Sequence, residues 1–586
     1  MSNYFLFRYR RSARVLRRWS RSWHKRTTAY VNQHLWGKWH QLRLVRRFML
    51  GWWLVLIVAV FGLGHQLAAL GKANLVPVPV SGGTFTQAAV GTVKVLNPIL
   101  PESSPATDIN RLIFSGLTKY GDHRDLQPDL ATGWQVSPDG RTYTFKIRHG
   151  VTWQDGVPFT STDVAFTVAA IQNPDSRSPL ASSWQGVTVA TPDESTVTFT
   201  LPAPLNSFLD STTLGIVPRH LLEQVDPSSL READFNRHPV GTGPFELGTF
   251  APSADEVELV ANPKYYLGKP KLDGFNFHFY DSEAEALTAY AQHQVTSPGQ
   301  ITTEELAKAS KLHRLTQYQM SLPEETTLFF NTTDPVLKDI QLRSILTSAI
   351  DREGLINSAL SGNAVALTQP LLPGEIGYTD KYAPTLTDTK ATMAALDAAG
   401  WKLEIGSSVR RKDGQALALN VVTVADSQLA TDAQALQAQL APAGIKLNIK
   451  TVELDELQQT YMRPRNFQML LFGTNIGPDP DVYAFWHSSQ AKDPGVNLSQ
   501  YSSATADAAL ESGRIKSDPA IREAKYDAFL KAWNTDAPSA VLYQTQYIYG
   551  VADSAMGITA RQLVTPSDRF NNVQNWTVRQ KYQIGR

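Results

Sequence analysis

The sequence predicts an α/β protein whose folded body follows a membrane-spanning helix. Strand and helix patterns alternate from residue 416 onward, an order that favours a parallel sheet joined by right-handed crossovers. Tyr143, Phe145 and Ile147 alternate with polar residues, as in a half-buried strand. The stretch 48–70 contains no charged residue and is long enough for a helix that spans a bilayer.

The N-terminal segment is strongly basic. Residues 1–47 contain thirteen Lys and Arg but no Asp or Glu, whereas the rest of the chain has 42 basic and 54 acidic residues. The positive-inside rule therefore places residues 1–47 in the cytoplasm and the body outside the cell membrane, with residues 48–70 as a single-pass anchor. A cleavable secretory signal is the alternative to the anchor, and either one exports the body.

Aromatic residues are interleaved with Arg in this basic head, a pattern that favours contact with an anionic lipid surface. The alternatives are a topology signal with little structure of its own and a segment that binds RNA. The acidic balance of the body argues against nucleic-acid binding.

The body is predicted to begin after a linker at 71–81, because residues 74–83 are rich in Pro and Gly. Thr160 and Asp163 form a helix-start signature for a helix at 161–172. The other predicted helices lie at 109–118, 338–351, 352–360, 428–441 and 453–462. The other predicted strands lie at 83–87, 197–201, 327–331, 417–424, 445–452 and 467–472.

The sequence lacks the motifs of common enzymes. There is no cysteine, which excludes thiolate metal sites and cysteine nucleophiles. There is also no H-E-x-x-H, G-x-S-x-G, Walker-type or dinucleotide-binding glycine motif. We therefore expect a binding protein rather than an enzyme, with no metal and no cofactor.

One loop concentrates polar residues where a parallel sheet places its ligands. Strand 467–472 runs into residues 473–481, and ligands of such sheets lie outside the carboxyl ends of the strands. This region supplies the predicted ligand-binding residues Gly473, Thr474, Asn475, Asp479 and Asp481, with Trp486 as a stacking surface. The alternative for each Asp is a helix N-cap in a rigid turn.

Several segments resemble one family, the extracellular solute-binding proteins of the oligopeptide, dipeptide and nickel type (family 5), which serve ABC importers. The most specific segment is 112–172, which includes LIFSGLTKY and the run from LQPDLATGW to FTSTDVAFTV. The others, in family order, are 240–247, 261–275, 328–365, 477–489 and 497–510.

The resemblance implies a two-lobed periplasmic-binding-protein-like fold of the large, cluster C type, with mixed sheets and a hinge. Lobe I would span 82–322 plus 548–586, and lobe II would span 323–547. The chain would cross between them near Ser321–Glu325 and Tyr543–Gly550, where Tyr547 is a predicted ligand contact. Peptide-binding members commonly carry an Asp before the Asp-Pro pair, where this chain has Asn475 or Ile476.

The resemblance therefore implies a monomeric receptor that binds peptides, or another small solute, in the cleft between its lobes. Its partners would be the permease and ATPase subunits of an ABC importer. One alternative is a sensor that signals through the membrane helix. Another is an exported hydrolase on the same scaffold, for which the sequence offers no nucleophile.

Overall fold

The structure is a computed structural model that describes residues 48–63, 66, 75–250, 255–425, 427–516 and 518–584. The chain divides into two compact units. The first comprises residues 1–78 and 581–586, and the second comprises residues 79–580. The basic head at 1–47 lies outside the described residues.

Within the part of 48–70 that the structure describes, the predicted membrane-spanning helix is not found. Residues 48–63 are helical and expose their large apolar side chains, while most of 64–70 lies outside the described residues. Among the residues that the structure describes, no helix combines the length and the apolar character that crossing a bilayer requires.

Part of the predicted linker is a strand. Leu75–Val80 pairs with Arg579–Ile584 at the C-terminal end of the chain. Val78 and Val80 favour extended backbone, and Pro79 is tolerated because an edge strand leaves one side of the backbone unpaired.

The second unit has separate hydrophobic cores. One cluster takes its side chains from Phe85–Leu322 and again from Tyr547–Trp576. Further clusters take theirs from within Leu328–Tyr543. We call the parts of the chain that pack around these cores the first lobe and the second lobe. The predicted boundaries at 322/323 and 547/548 stay a prediction.

The first lobe is built on small sheets. A mixed sheet has the strand order Thr84–Val90, Gly274–Tyr280, Glu256–Ala261 and Phe245–Phe250. An antiparallel sheet has the order Ala131–Val136, Thr142–Ile147, Thr196–Thr200 and Thr188–Asp193. Thr118–Tyr120 and Leu126–Pro128 form a hairpin. The predicted alternation at Tyr143, Phe145 and Ile147 is confirmed, because all three are buried.

The helices of the first lobe are Ser104–Ile113, Ser161–Gln172, Phe208–Ser211, Arg219–Leu222, Glu283–Ala291 and Leu306–Ala309. The helix predicted at 161–172 is confirmed, and Thr160 and Asp163 form its capping box. The helix predicted at 109–118 is displaced toward the N-terminus. Ser103 caps its first turn and Phe114 is already extended, so the helix ends before Gly116.

A mixed sheet contains strands of both lobes. Its strand order is Gly299–Gln300, Ser539–Ala552, Leu315–Phe330, Met469–Asn475, Ala418–Val424 and Lys446–Val452, with Ala364–Ala366 paired to Ser539–Ala552. Ala418–Val424 is parallel to both of its neighbours, as the strand–helix alternation predicts. The long strands Leu315–Phe330 and Ser539–Ala552 contribute side chains to the cores of both lobes.

The helices of the second lobe are Ile340–Ala349, Arg352–Ala359, Thr389–Ala398, Gln428–Leu440, Leu454–Glu456, Tyr483–Trp486, Ala504–Ile515 and Pro519–Asp536. A short ribbon pairs Arg411–Lys412 with Gln415–Ala416. The helix predicted at 453–462 is α-helical only at its start and continues as a π-helix over Leu457–Met462.

Candidate functional site: the cleft between the lobes

A cavity of about 510 Å³ lies between the two lobes. The first lobe lines it with the hairpin that contains Tyr120 and Arg124 and with Asp210. The second lobe lines it with Glu375 in one turn and Asp479 in another. Pockets that bind small molecules commonly measure about 300–1,000 Å³. The position of this cavity suits a solute that contacts both lobes at once.

Polar contacts among the described residues cross the cleft, including those of Asn206 and Arg124. The Asn206 side-chain amide donates hydrogen bonds to the carbonyl oxygens of Arg514, at 3.1 Å, and Lys516, at 2.6 Å. Arg124 Nη1 lies 3.6 Å from Glu375 Oε1. Each contact joins one lobe to the other, so their formation depends on the angle between the lobes.

The first predicted site residues belong to a strand rather than a loop. Gly473, Thr474 and Asn475 end the strand Met469–Asn475. They lie opposite residues 326, 325 and 324 of the neighbouring antiparallel strand. The strand therefore extends three residues beyond its predicted end, because a partner strand satisfies its backbone groups. Asn475 Oδ1 accepts a hydrogen bond from the Gly477 N–H at 3.0 Å and so shapes the following turn.

Asp479 and Asp481 already have cationic partners. Asp479 Oδ1 lies 2.5 Å from Arg522 Nη2, and Asp481 Oδ2 lies 3.1 Å from Arg514 Nη2. Asp479 Oδ1 also accepts a hydrogen bond from the Asp481 N–H at 3.0 Å, an Asx-type turn. Asp479 lines the cleft as predicted, but its charge is paired within the second lobe.

Trp486 lies in the core of the second lobe, not at the cleft. Its side chain is 0% exposed, with its ring 6.0 Å from that of Phe329 and 5.5 Å from that of Trp533. It therefore does not provide the predicted stacking surface. The short helix Tyr483–Trp486 turns this ring inward, a direction that the sequence of the loop does not reveal.

Tyr547 lies in the core of the first lobe. It is buried, and the Arg569 guanidinium carbon lies 5.3 Å from the centre of its ring. Its strand, Ser539–Ala552, contributes side chains to the cores of both lobes, and Tyr547 is one of those in the first-lobe core. It is not among the residues that line the cleft.

Sequence reasoning missed the charged residues that face each other across the cleft. Arg124 lies at the tip of the hairpin in the first lobe, and Glu375 lies in a turn between Leu372 and Tyr378. Asp210 lies in the short helix Phe208–Ser211 beside the same cavity, where it accepts a hydrogen bond from Tyr120. Such turn charges usually face solvent, and no spacing rule connects residues this far apart in the chain.

Burial raises the pKa of several carboxyl groups at and behind the cleft. Desolvation raises the pKa of Asp210 to about 7, although its hydrogen bond with Tyr120 opposes the shift. Desolvation likewise raises the pKa of Glu375 to about 8 and that of Glu325 to about 8. The protonation of these groups therefore changes near neutral pH.

Glu325→Gln should remove part of the pH dependence of stability. The folded protein holds the Glu325 proton up to a pKa of about 8, because the carboxyl is buried. The unfolded chain releases it near a pKa of about 4.3. The free energy of unfolding of the wild type should therefore fall, relative to the variant, as the pH rises from 5 to 8, by up to about 1.4 kcal/mol per pH unit.

Urea denaturation of both proteins at pH 5, 6, 7 and 8 measures this difference. Glu304→Gln is the matched control, because Glu304 is exposed. Parallel stability curves for the wild type and Glu325→Gln would contradict the prediction.

Comparison with known proteins identifies the family. A family model described as bacterial extracellular solute-binding proteins, family 5, matches residues 125–495. An ABC transporter peptide-binding protein of Brucella ovis is 30% identical over 462 residues, which cover 76% of this chain and 83% of that protein. The oligopeptide-binding protein AppA of Bacillus subtilis is 27% identical over 509 residues, covering 85% and 92% of the two chains.

Solved structures show the same fold. The substrate-binding protein CtaP of Listeria monocytogenes matches with a TM-score of 0.73 at 25% identity, covering 85% of this chain and 100% of that chain. Bacillus subtilis AppA in complex with a nonapeptide matches with a TM-score of 0.63 at 24% identity, covering 85% and 99%. The predicted two-lobed periplasmic-binding-protein-like fold is confirmed. The chain belongs to the bacterial extracellular solute-binding proteins of family 5, which bind solutes and are not enzymes.

Proposed function

We propose that this protein binds peptides outside the cell and delivers them to the permease of an ABC importer. The observation that carries the proposal is the cavity of about 510 Å³ between the lobes, which has cationic and anionic side chains on its walls. Two relatives are described as peptide-binding, the Brucella ovis protein and Bacillus subtilis AppA. A free peptide carries both signs of charge, which suits such walls.

The proposed mechanism uses the two lobes. A peptide enters when the lobes are apart, and contacts with both walls favour the closed form. Closure also forms the cross-lobe hydrogen bonds of Asn206. The permease and its ATPase then recognise the closed form. The alternative of a sensor that signals through the N-terminal segment stays a prediction.

Mass spectrometry of bound peptides tests the proposal. The purified full-length protein is incubated with an equimolar mixture of random tripeptides to nonapeptides, passed through a desalting column and denatured. We expect peptides in the released fraction and a higher melting temperature in their presence, because a ligand that binds only the folded state stabilises it. Release of no peptide at saturating concentration would contradict the proposal.

Asn206→Ala should weaken this peptide binding by about 30-fold, since two hydrogen bonds of roughly 1 kcal/mol each no longer favour closure. Asn448→Ala is the matched control, because Asn448 is an exposed amide that bonds only to Asn420 among the hydrogen bonds found for its side chain in the described residues. Equal retention by both variants would show that closure does not depend on Asn206.

A further inference from the structure

The ion pair between Arg124 and Glu375 is buried but poorly satisfied. The two side chains are 6% and 5% exposed, and the distance of 3.6 Å between Arg124 Nη1 and Glu375 Oε1 is too long for a hydrogen bond. Within the described ranges, no hydrogen-bond partner is found for Arg124 Nε, Arg124 Nη2 or Glu375 Oε1. Charged groups that lack such bonds when buried are costly, which is why burial raises the pKa of Glu375 to about 8, and a ligand ammonium group beside it would favour the ionised carboxylate.

Other charged groups of the cleft have short partners. Asp479 lies 2.5 Å from Arg522, and Asp210 accepts a hydrogen bond of 2.7 Å from Tyr120. Arg522 also contacts Tyr526, at 3.3 Å. A solute that competes for these groups must break good hydrogen bonds. A solute that competes for Arg124 and Glu375 breaks a long ion pair and can satisfy atoms that have no partner in the described structure.

Local backbone structure holds both groups at the cavity. Arg124 has φ of 64°, a left-handed conformation that is strained for a side-chain-bearing residue and here turns the hairpin tip. The turn that carries Glu375 contains Gly377 at φ of 85°, where an added Cβ would lie 2.4 Å from Tyr526 Cβ. One oxygen of Glu375 is fixed by the Leu372 N–H at 2.9 Å, which leaves the other free to bind.

The two groups belong to different lobes, which matters for a ligand of finite length. Arg124 moves with the first lobe and Glu375 with the second, so the distance between them depends on how far the lobes close. A ligand with an ammonium group and a carboxylate can therefore separate them by the spacing of its own charges. Neither lobe has to change its internal structure.

We propose that a zwitterionic peptide replaces the direct contact between Arg124 and Glu375. Its ammonium group is bound by Glu375 and its carboxylate by Arg124. This inference rests on the proposed function and names the two residues that recognise the charged ends of the peptide. It places the carboxylate that accepts the ammonium group in the turn at 373–376, since Asn475 carries no charge and Asp479 is paired with Arg522.

The test uses peptides with blocked ends. An equimolar tripeptide mixture is prepared with free ends, with N-acetyl ends, with C-terminal amides and with both ends blocked. Full-length wild type, Glu375→Gln and Arg124→Gln are incubated with each form, and the retained peptide is quantified by mass spectrometry. Glu102→Gln is the matched control, because Glu102 forms an ion pair with Arg231 at the surface of the first lobe.

We expect the wild type and Glu102→Gln to retain peptides with free ends at least about tenfold better than either singly blocked form, since a hydrogen-bonded charge is worth a factor of this order. Glu375→Gln should retain N-acetyl peptides as well as it retains peptides with free ends, but should still retain C-terminal amides poorly. Arg124→Gln should retain C-terminal amides as well as it retains peptides with free ends, but should still retain N-acetyl peptides poorly. This crossed pattern separates ligand recognition from a structural role, which would affect every form alike.

Three results would overturn the inference. If the wild type retains all four forms equally, the inference fails while the proposed peptide-binding function stands. If each variant reduces the retention of all forms by the same factor, the pair is structural and the inference fails. If the wild type retains no form, the proposed function fails and takes the inference with it. The comparison of the four peptide forms uses the wild type alone, so it tests the inference even if a variant misfolds.

Discussion

Arg569→Met is expected to lower the free energy of unfolding by about 3–5 kcal/mol, because it leaves a buried carboxylate without its cation. Arg569 is 1% exposed in its side chain, and both its terminal nitrogens bind Asp108 of the helix Ser104–Ile113. Its guanidinium also lies over the rings of Tyr547, Tyr549 and Phe570. The residue therefore ties the C-terminal return of the chain to the start of the first lobe.

Urea denaturation without ligand measures this loss. Arg231→Met is the control, since its ion pair with Glu102 is partly exposed and such surface pairs contribute about 0–1 kcal/mol. The double variant Asp108→Asn with Arg569→Met should recover part of the stability, because the unpaired buried charge is then gone. A loss below about 1 kcal/mol for Arg569→Met would contradict the role assigned to this pair.

Trp486→Ala should lower the free energy of unfolding by about 3–5 kcal/mol, the usual cost of removing a buried aromatic ring and leaving a cavity. The ring is 0% exposed and lies between Phe329 and Trp533. No hydrogen-bond partner of its indole N–H is found in the part of the chain that the structure describes. Trp486→Phe should therefore be much less harmful than Trp486→Ala.

Peptide retention by Trp486→Phe distinguishes a core residue from a binding residue. We expect retention within about twofold of the wild type, because the ring does not line the cleft. Thermal and urea unfolding of both variants give the stability effects. If Trp486→Phe has normal stability but no longer retains peptides, Trp486 belongs to the binding site.

The elements that depend on local chemistry were predictable. The helix Ser161–Gln172 begins where Thr160 and Asp163 satisfy its first N–H groups, and these residues are three apart in the sequence. The strand Ala418–Val424 and its parallel neighbour Lys446–Val452 follow from apolar patterns and an intervening helix. Short-range hydrogen bonds and periodicity depend on residues that are close together in the sequence, so no tertiary information was needed.

The candidate site was predicted less well. The sequence placed Asp479 at a ligand-binding edge, and Asp479 does line the cleft. It did not reveal that Arg522, on the helix Pro519–Asp536, neutralises that carboxylate. It also assigned Trp486 and Tyr547 to the ligand, whereas both rings lie in the cores. An aromatic residue near a polar loop has the same sequence signature whether it faces a cavity or a core.

By itself, the sequence determined the α/β class, the family resemblance and the parallel strands at Ala418–Val424 and Lys446–Val452. Only the tertiary structure decided which charges meet. Arg124 and Glu375 face each other because a hairpin tip of one lobe and a turn of the other close on the same cavity. The energies of such pairs depend on distance and burial, and neither is encoded in the spacing of residues along the chain.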